Sequence, residues 1–257
     1  MGKRYENSYL KNVIFRIDLA QPISQGKKLL NDFSKILERD FPNREDISKI
    51  HLEATMGLSK DKEPSVKQFQ RIVVSNKFSN ADKTTILMFE SEPSNLNLSF
   101  NSYKSSAELN ELVESIVKAV HKVYGNVLIK RIGLRYINNI SIKDGDTFDW
   151  HSFINPYLIS MLEFSTDKRN ISRAIGRMEL NKDFYKVQFY YGMVNPEYPN
   201  PIARKEFILD YDCYSTEEIN INEVPAMLTI LHEEIKSLFE SSILDGLREI
   251  MGVISDE

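Results

Sequence analysis

Apolar and polar residues alternate along Asn12–Ala20, which is typical of a β-strand with one buried face. Apolar residues at helical spacing follow, and they predict a helix that is capped by Ser24 and stopped by Pro42. Strand-like runs come next, with turn signals between the last three; they cover His51–Leu58, Phe69–Phe78, Thr84–Glu90 and Leu96–Tyr103. This segment therefore predicts an antiparallel meander.

A second helix is predicted after the meander. Ser105 and Glu108 have the spacing of a capping box at its start. An apolar stripe at helical spacing runs along it, and Gly125 stands where a left-handed C-terminal cap belongs. The helix is therefore expected to end at Gly125.

The rest of the chain repeats this order of elements. We expect a long strand over Asn126–Ile142 and a short aromatic helix over Thr147–Leu158, capped by Asp146. Three strands and a long terminal helix opened by Asn222 complete the pattern; the strands cover Ile171–Leu180, Phe184–Met193 and Glu206–Tyr214. Each half is thus predicted to consist of a strand, a helix, three or four antiparallel strands and a helix, a β-α-β-β-β-α order with a fourth strand-like run in the first half.

The predicted fold class is α+β, with antiparallel sheets flanked by helices. The two halves, residues 1–125 and 126–257, are predicted to form a pseudo-duplicated domain. No Pro/Ser-rich linker separates them at Gly125. We therefore expect the halves to share one core.

Composition excludes several classes of protein. The 257 residues include 33 Lys and Arg and 37 Asp and Glu, a net charge of -4; a protein that coats nucleic acid would carry a basic excess. The single cysteine, Cys213, excludes an internal disulfide and a multi-cysteine zinc site. A polar N-terminus and the lack of long apolar runs predict a cytoplasmic protein without a membrane partner.

Signatures of catalysis are missing from the sequence. It has no phosphate-binding glycine loop and no nucleophile elbow. The four histidines do not have the spacing of metal ligands; they are His51, His121, His151 and His232. No catalytic residue, metal or cofactor is therefore assigned, and the sequence argues against an enzyme without excluding one.

The segment Lys130–Asn139 carries the most distinctive chemistry. In a strand, Arg131, Gly133 and Arg135 share one face. Two guanidinium groups beside a residue without a side chain predict a shallow pocket for a carboxylate or a phosphate. Arg173 and Arg177 share a face in the second half in the same way, and Asn138 lies near the first pair in sequence. These residues are the candidate binding site.

A purely structural role for the arginines is an alternative. Asp210 and Asp212 share a face of a later strand and are candidate ion-pair partners of Arg131 and Arg135. The four side chains would then form a ladder of salt bridges across neighbouring strands, stabilising but without a binding role.

An aromatic segment, Phe148–Tyr157, holds the single tryptophan. Trp150, Phe153 and Tyr157 recur at spacings of three and four and share one face of the predicted helix. Such a face is usually part of a core; if it is exposed, it is a binding hot spot. Trp150 is therefore a further candidate for partner binding.

The segment from Arg131 to Asn138, RIGLRYIN, resembles the signature of a sporadically distributed prokaryotic protein family for which no activity is established. The opening strand, the motif at Leu209–Asp212 and the closing helix with His232 and Phe239 agree with it in position. The patchy distribution of that family resembles that of mobile genes. The resemblance therefore implies a place in anti-phage defence or in a toxin–antitoxin pair.

Two functions follow as hypotheses. The first is a non-enzymatic interaction or regulatory protein whose partner is another protein, such as a toxin or effector encoded nearby. The second is a sensor or enzyme that binds a phosphorylated or carboxylated small molecule at an arginine-lined groove. Nucleic acid is the least favoured partner, and the sequence leaves open whether the chain forms a homo-oligomer.

Overall fold

A computed structural model describes residues 3–23, 26–55, 65–91 and 93–256. In this part of the chain the strands, in order, are β1 Lys3–Tyr5, β2 Leu10–Leu19, β3 Asn43–Thr55, β4 Ser65–Ser79, β5 Thr85–Ser91, β6 Ser94–Phe100, β7 Leu128–Ser141, β8 Ala174–Asn181, β9 Tyr185–Met193, β10 Glu206–Ser215, β11 Ile219–Asn220 and β12 Val253–Asp256. The α-helices are α1 Lys27–Leu37, α2 Ser106–Tyr124, α3 Pro156–Ile159, α4 Val224–Ser242 and α5 Asp245–Met251. The fold is α+β, as predicted.

One large antiparallel sheet organises the described part of the protein. Its strand order is β3-β4-β5-β6-β2-β7-β10-β9-β8, and β11 pairs with β7 outside this path. The strands β2 and β7 are antiparallel neighbours at its centre, with Ile14 opposite Arg135 and Arg16 opposite Gly133. Strands β1 and β12 form a separate two-stranded sheet. The central pairing joins the early and late parts of the chain in one core.

The helices pack on one face of the large sheet. The alternate side chains Val13, Phe15 and Ile17 of β2 are buried. The ring of Phe33 in α1 contacts the rings of Phe78 in β4 and Phe89 in β5. Further along the sheet, α4 packs on β7 and β10. The opposite side chains of the central strands form an open face of the sheet.

The second helix has the ends that the sequence predicts. The Ser105 hydroxyl accepts a hydrogen bond from the Glu108 amide at 3.2 Å. At the other end, Gly125 adopts a φ of 78° and its amide donates to the His121 carbonyl at 2.9 Å. A positive φ is readily adopted by glycine, so both ends of α2 follow from local chemistry.

The predicted helix over Thr147–Leu158 is wrong for most of its length. Residues 147–155 form turns and irregular structure with one β-bridge at Ile154, and the α-helix covers only Pro156–Ile159 before a 3₁₀-helix at Ser160–Glu163. Proline restricts the backbone of the residue before it, and the Asn155 side chain accepts from the Tyr157 amide at 3.1 Å. Asn155 therefore caps a new helix where the apolar spacing suggested continuation.

Two other boundaries differ from the prediction. β3 begins at Asn43, eight residues before the predicted run at His51; the predicted end of that run and the Ser24 cap lie outside the described residues. The terminal helix breaks after Ser242, where Ile243 forms a β-bridge with Ile154.

None of the helices in the described part of the chain combines the length and the apolar character that a membrane span requires.

Candidate functional site

The open face of the sheet carries the predicted arginines together with acidic partners. By the open face we mean the outward side chains of β2, β7, β10, β9 and β8. Arg135 donates twice to Asp210, from Nε to Oδ1 at 2.8 Å and from Nη2 to Oδ2 at 2.6 Å. Arg177 and Glu179 of β8 form another pair. Positive and negative groups thus alternate on this face.

Arg131 lies between two carboxylates and over an aromatic ring. Its guanidinium nitrogens are 3.7 Å from an oxygen of Asp18 and 3.8 Å from one of Asp212. The guanidinium carbon lies 4.2 Å from the centroid of the Tyr214 ring, a cation–π geometry. A Cβ added at Gly133 would lie 3.8 Å from this guanidinium. Arg131 itself therefore covers part of the space that Gly133 leaves.

Asp212 is the acidic group most affected by this environment. Its side chain is 30% exposed, while that of its neighbour Asp210 is 11% exposed. Burial raises the pKa of Asp212, and this effect outweighs the attraction of Arg131 and Arg135. Ionisation of Asp212 therefore lowers the stability of the folded protein.

A cavity of about 350 Å³ opens on this face beside Arg135 and Arg177, and Gln188, Tyr190 and Asp210 also line it. Arginine forks bind carboxylates and phosphates through paired donors. Here the donors of Arg135 already bind Asp210. An anionic ligand would have to compete with the protein's own carboxylate.

The structure separates the other predicted site residues from this cavity. Asn138 lies on the opposite, helix-covered face of β7, where its amide nitrogen donates to the Leu209 carbonyl at 3.2 Å. The cause is the two-residue period of a strand, which turns even-numbered positions away from Arg131 and Arg135. Arg173 precedes β8 and lies over the Tyr198 ring, 4.2 Å from its centroid. The expected grouping of Asn138 and Arg173 with the other arginines is therefore not formed.

Trp150 belongs to the core. It is fully buried, and its ring contacts those of Phe153 and Phe207. A part in partner binding would require it to leave this packing, so its assignment as a surface contact is corrected. The exposed aromatic residues nearby are Tyr157 and Phe164, at 87% and 94%.

Sequence reasoning missed a chain of hydrogen bonds on the helix side of the sheet. The hydroxyls of Tyr103 and Tyr136 are 2.9 Å apart, and the Tyr136 hydroxyl is 3.0 Å from His232 Nδ1. The three residues come from distant parts of the chain. The available signal was Tyr136 itself, a hydroxyl on the apolar face of β7.

Within the described residues, no three His, Cys, Asp or Glu side chains are grouped as metal ligands. Comparison with other proteins adds no assignment, because no protein-family model and no curated protein matches the chain. The family resemblance of the RIGLRYIN segment thus remains a prediction.

Proposed function

We propose that the protein is a non-enzymatic interaction or regulatory protein that binds another protein through an exposed aromatic surface. The observation that carries this proposal is the exposure of Tyr157 and Phe164, at 87% and 94%. Exposed aromatic side chains are enriched at protein–protein interfaces and supply much of their binding energy. We call these two side chains and the helical turns that hold them the aromatic surface.

The turns that carry the aromatic surface are anchored to the core. Leu158 and Leu162, in the same two helical turns, are buried. The Asn155 amide nitrogen donates to the Ser241 carbonyl at 2.9 Å, which ties the start of α3 to the end of α4. Groups that are already held in place lose little entropy on binding. The chain segment that carries the two aromatic side chains is therefore anchored to the rest of the protein before a partner binds.

The class of partner comes from the family resemblance. A place in anti-phage defence or in a toxin–antitoxin pair implies a toxin or effector encoded beside this chain. Isolation from the native host would identify the partner, and calorimetry would then measure its affinity. We expect Tyr157→Ser with Phe164→Ser to weaken binding by about 30-fold, which corresponds to about 2 kcal/mol.

The control for this experiment is Met178→Ser, because Met178 is an exposed apolar residue of β8, outside the aromatic surface. Its affinity should equal that of the unchanged protein. Equal affinity of the double variant would overturn the aromatic surface as the binding site. Recovery of the chain alone from its host, with no toxin or effector gene beside it, would overturn the wider proposal.

A second candidate function is a sensor or enzyme for a phosphorylated or carboxylated small molecule. The cavity beside Arg135 and Arg177 favours it. A ligand at 100 times its Kd would stabilise the protein by about 2.7 kcal/mol. Thermal shifts with nucleotides and inorganic phosphate test this, with Arg177→Ala as the variant and the exposed Arg169→Ala as its control. Equal shifts in both variants, or none in the unchanged protein, would remove this candidate.

We also infer an internal duplication. Outward from the central pair, the order β2-β6-β5-β4 corresponds to β7-β10-β9-β8, and β3 at the first edge is an additional strand of the first half. The two halves, residues 1–125 and 126–257, would then be repeats that share a core across β2 and β7. Separately produced halves should therefore fail to fold alone and should gain structure when mixed, as measured by circular dichroism. Stable folding of either half alone would contradict the shared core.

A further inference from the structure

The large sheet ends at β8, and no other strand of the described chain pairs with its outer edge. The register of β8 with β9 is continuous from Ala174 to Asn181, without a β-bulge. At the opposite edge, the pairing of β3 with β4 is interrupted after Ile47 and again after Leu52. Bulges hinder further pairing at an edge, whereas a regular edge presents a row of unpaired backbone groups. β8 is therefore the edge that is suited to bind another strand.

The hairpin between β8 and β9 shows which backbone groups of β8 face outward. The Lys182 amide donates to the Tyr185 carbonyl at 3.0 Å. Hydrogen-bonded and non-hydrogen-bonded pairs alternate along antiparallel strands. The even-numbered residues of β8 therefore bond to β9, and the amides and carbonyls of the odd-numbered residues face outward. These residues are Ile175, Arg177, Glu179 and Asn181.

The charged side chains of β8 are arranged symmetrically about Met178. Arg177 and Glu179 stand on either side of it, with side chains 59% and 57% exposed, and form an ion pair with each other. In an antiparallel pair of two β8 strands centred on Met178, Arg177 of each copy lies directly opposite Glu179 of the other. Opposite charges at such positions attract each other, and like charges repel. The strand is therefore complementary in charge to a second copy of itself.

The charges also select the register of such a pair. Centring the pair on Arg177 places two arginines opposite each other, and centring it on Glu179 places two glutamates opposite each other. Centring it farther from the middle leaves much of β8 unpaired. With Met178 at the centre, odd-numbered residues lie opposite odd-numbered residues, so the outward amides and carbonyls meet as hydrogen-bonded pairs. Backbone and side chains thus favour the same register.

Met178 would lie on the two-fold axis of this pair. Its side chain is on the opposite face of the strand from Arg177, and the residue is 42% exposed. At a non-hydrogen-bonded position the Cα atoms approach to about 4.5 Å, which brings the two side chains close together. The two copies of Met178 would therefore cover each other, and pairing would remove apolar surface from water.

We propose that a second copy of this chain pairs antiparallel with β8, centred on Met178, so that the two large sheets form one continuous sheet. The occupant is a copy of the chain because its own edge supplies the complementary order of charges. Small interfaces are typical of weak or transient complexes, so the dimer forms reversibly at high protein concentration. β8 contributes no residue to the aromatic surface, and the dimer can therefore be tested separately from the proposed function.

Sedimentation equilibrium of the full chain, up to millimolar concentration, tests the proposal. We expect a monomer–dimer equilibrium in the unchanged protein. Arg177→Glu and Glu179→Arg should each weaken dimerisation at least tenfold, because like charges then lie opposite each other. An equimolar mixture of these two variants should dimerise, since every facing pair again has opposite charges.

Three results would overturn the proposal. They are a monomer at all concentrations, which would leave the edge to a strand of another protein, unchanged dimerisation of both single variants, and failure of their mixture to dimerise. The matched control is Arg169→Glu, which reverses a side chain that is 90% exposed and lies outside β8. It should dimerise as the unchanged protein does.

The double variant with Arg177→Glu and Glu179→Arg exchanges the two charges and should dimerise like the unchanged protein. Position 177 then carries no arginine beside the cavity of the open face, so loss of the dimer in this variant would indicate a bridging anion and would overturn direct pairing. Hydrogen exchange tests the backbone contact. The amides of Arg177 and Glu179 should exchange more slowly in concentrated than in dilute protein, and equal rates would overturn strand pairing.

Discussion

Arg135 of β7 bonds diagonally to Asp210 of β10, although the residue directly opposite it on that strand is Asp212. The Arg135–Asp210 ion pair is bidentate: two guanidinium nitrogens donate to the two carboxylate oxygens. Asp212 lies 3.8 Å from Arg131 instead. This arrangement joins β7 to β10 at the centre of the RIGLRYIN segment.

Replacing Arg135 by alanine would leave the largely buried carboxylate of Asp210 without its guanidinium. We expect the free energy of unfolding of Arg135→Ala to fall by about 1–2 kcal/mol. Urea denaturation measures it. The control is Arg169→Ala, which breaks a pair with Asp167 on a highly exposed side chain and should change stability by less than about 0.5 kcal/mol. Unchanged stability of Arg135→Ala would contradict a structural role for the pair with Asp210.

Asp212→Asn should be neutral or stabilising at neutral pH. Burial raises the pKa of Asp212, so the unfolded chain loses this proton first as pH rises. At acid pH the Asp212 carboxyl is protonated in both the folded and the unfolded protein, so it does not lower the free energy of unfolding. It lowers the stability of the folded protein once the pH has risen through its folded pKa. The stability of the variant relative to the unchanged protein should therefore increase from acid to neutral pH.

Urea denaturation across that pH range checks the prediction, with Asp210→Asn as the comparison. That variant removes the carboxylate bound by Arg135 and should be less stable than the unchanged protein at neutral pH. Equal losses at Asp212 and Asp210 would show that ion pairing dominates at both positions.

Two glycines of the sheet should differ in how much stability they lose when replaced by alanine. A Cβ at Gly133 would have its nearest contact 3.7 Å away, at the Tyr214 Cβ. At Gly192, with a φ of 130°, it would overlap the Ala174 carbonyl oxygen. We expect Gly133→Ala to change stability by less than about 1 kcal/mol and Gly192→Ala to cost about 2–4 kcal/mol. Thermal denaturation of both variants would show whether Gly133 is required by packing.

The thiol of Cys213 should be unreactive in the folded protein. Cys213 is fully buried in β10, and burial raises its pKa to about 12. Iodoacetamide should therefore modify it only when the protein opens, with full labelling in urea. Rapid modification under native conditions would contradict its place in the core.

Much of the fold follows from local patterns. Period-two alternation assigned Arg131 and Arg135 to one face of β7, and Asp210 and Asp212 to one face of β10. Ser105 and Gly125 marked the ends of α2, because their cap interactions involve neighbours in sequence. Such features need no distant contact, so they could be predicted.

Other features depended on contacts between distant residues. The start of β3 at Asn43 is set by pairing with β4, since Asn43 lies opposite Ser79. Trp150 had the spacing of a helical face, but packing against Phe207 placed it in the core among turns. In both cases tertiary contacts outweighed the local preference.

The sequence by itself determined the fold class, the faces of the central strands and the cysteine chemistry. Only the tertiary structure decided which acid pairs with which arginine, and only it joined Tyr103, Tyr136 and His232 in one chain of hydrogen bonds. The physical reason is the distance along the sequence over which each interaction acts. Alternation and capping act over a few residues, whereas a cavity wall is built from side chains that the sheet order and helix packing bring together.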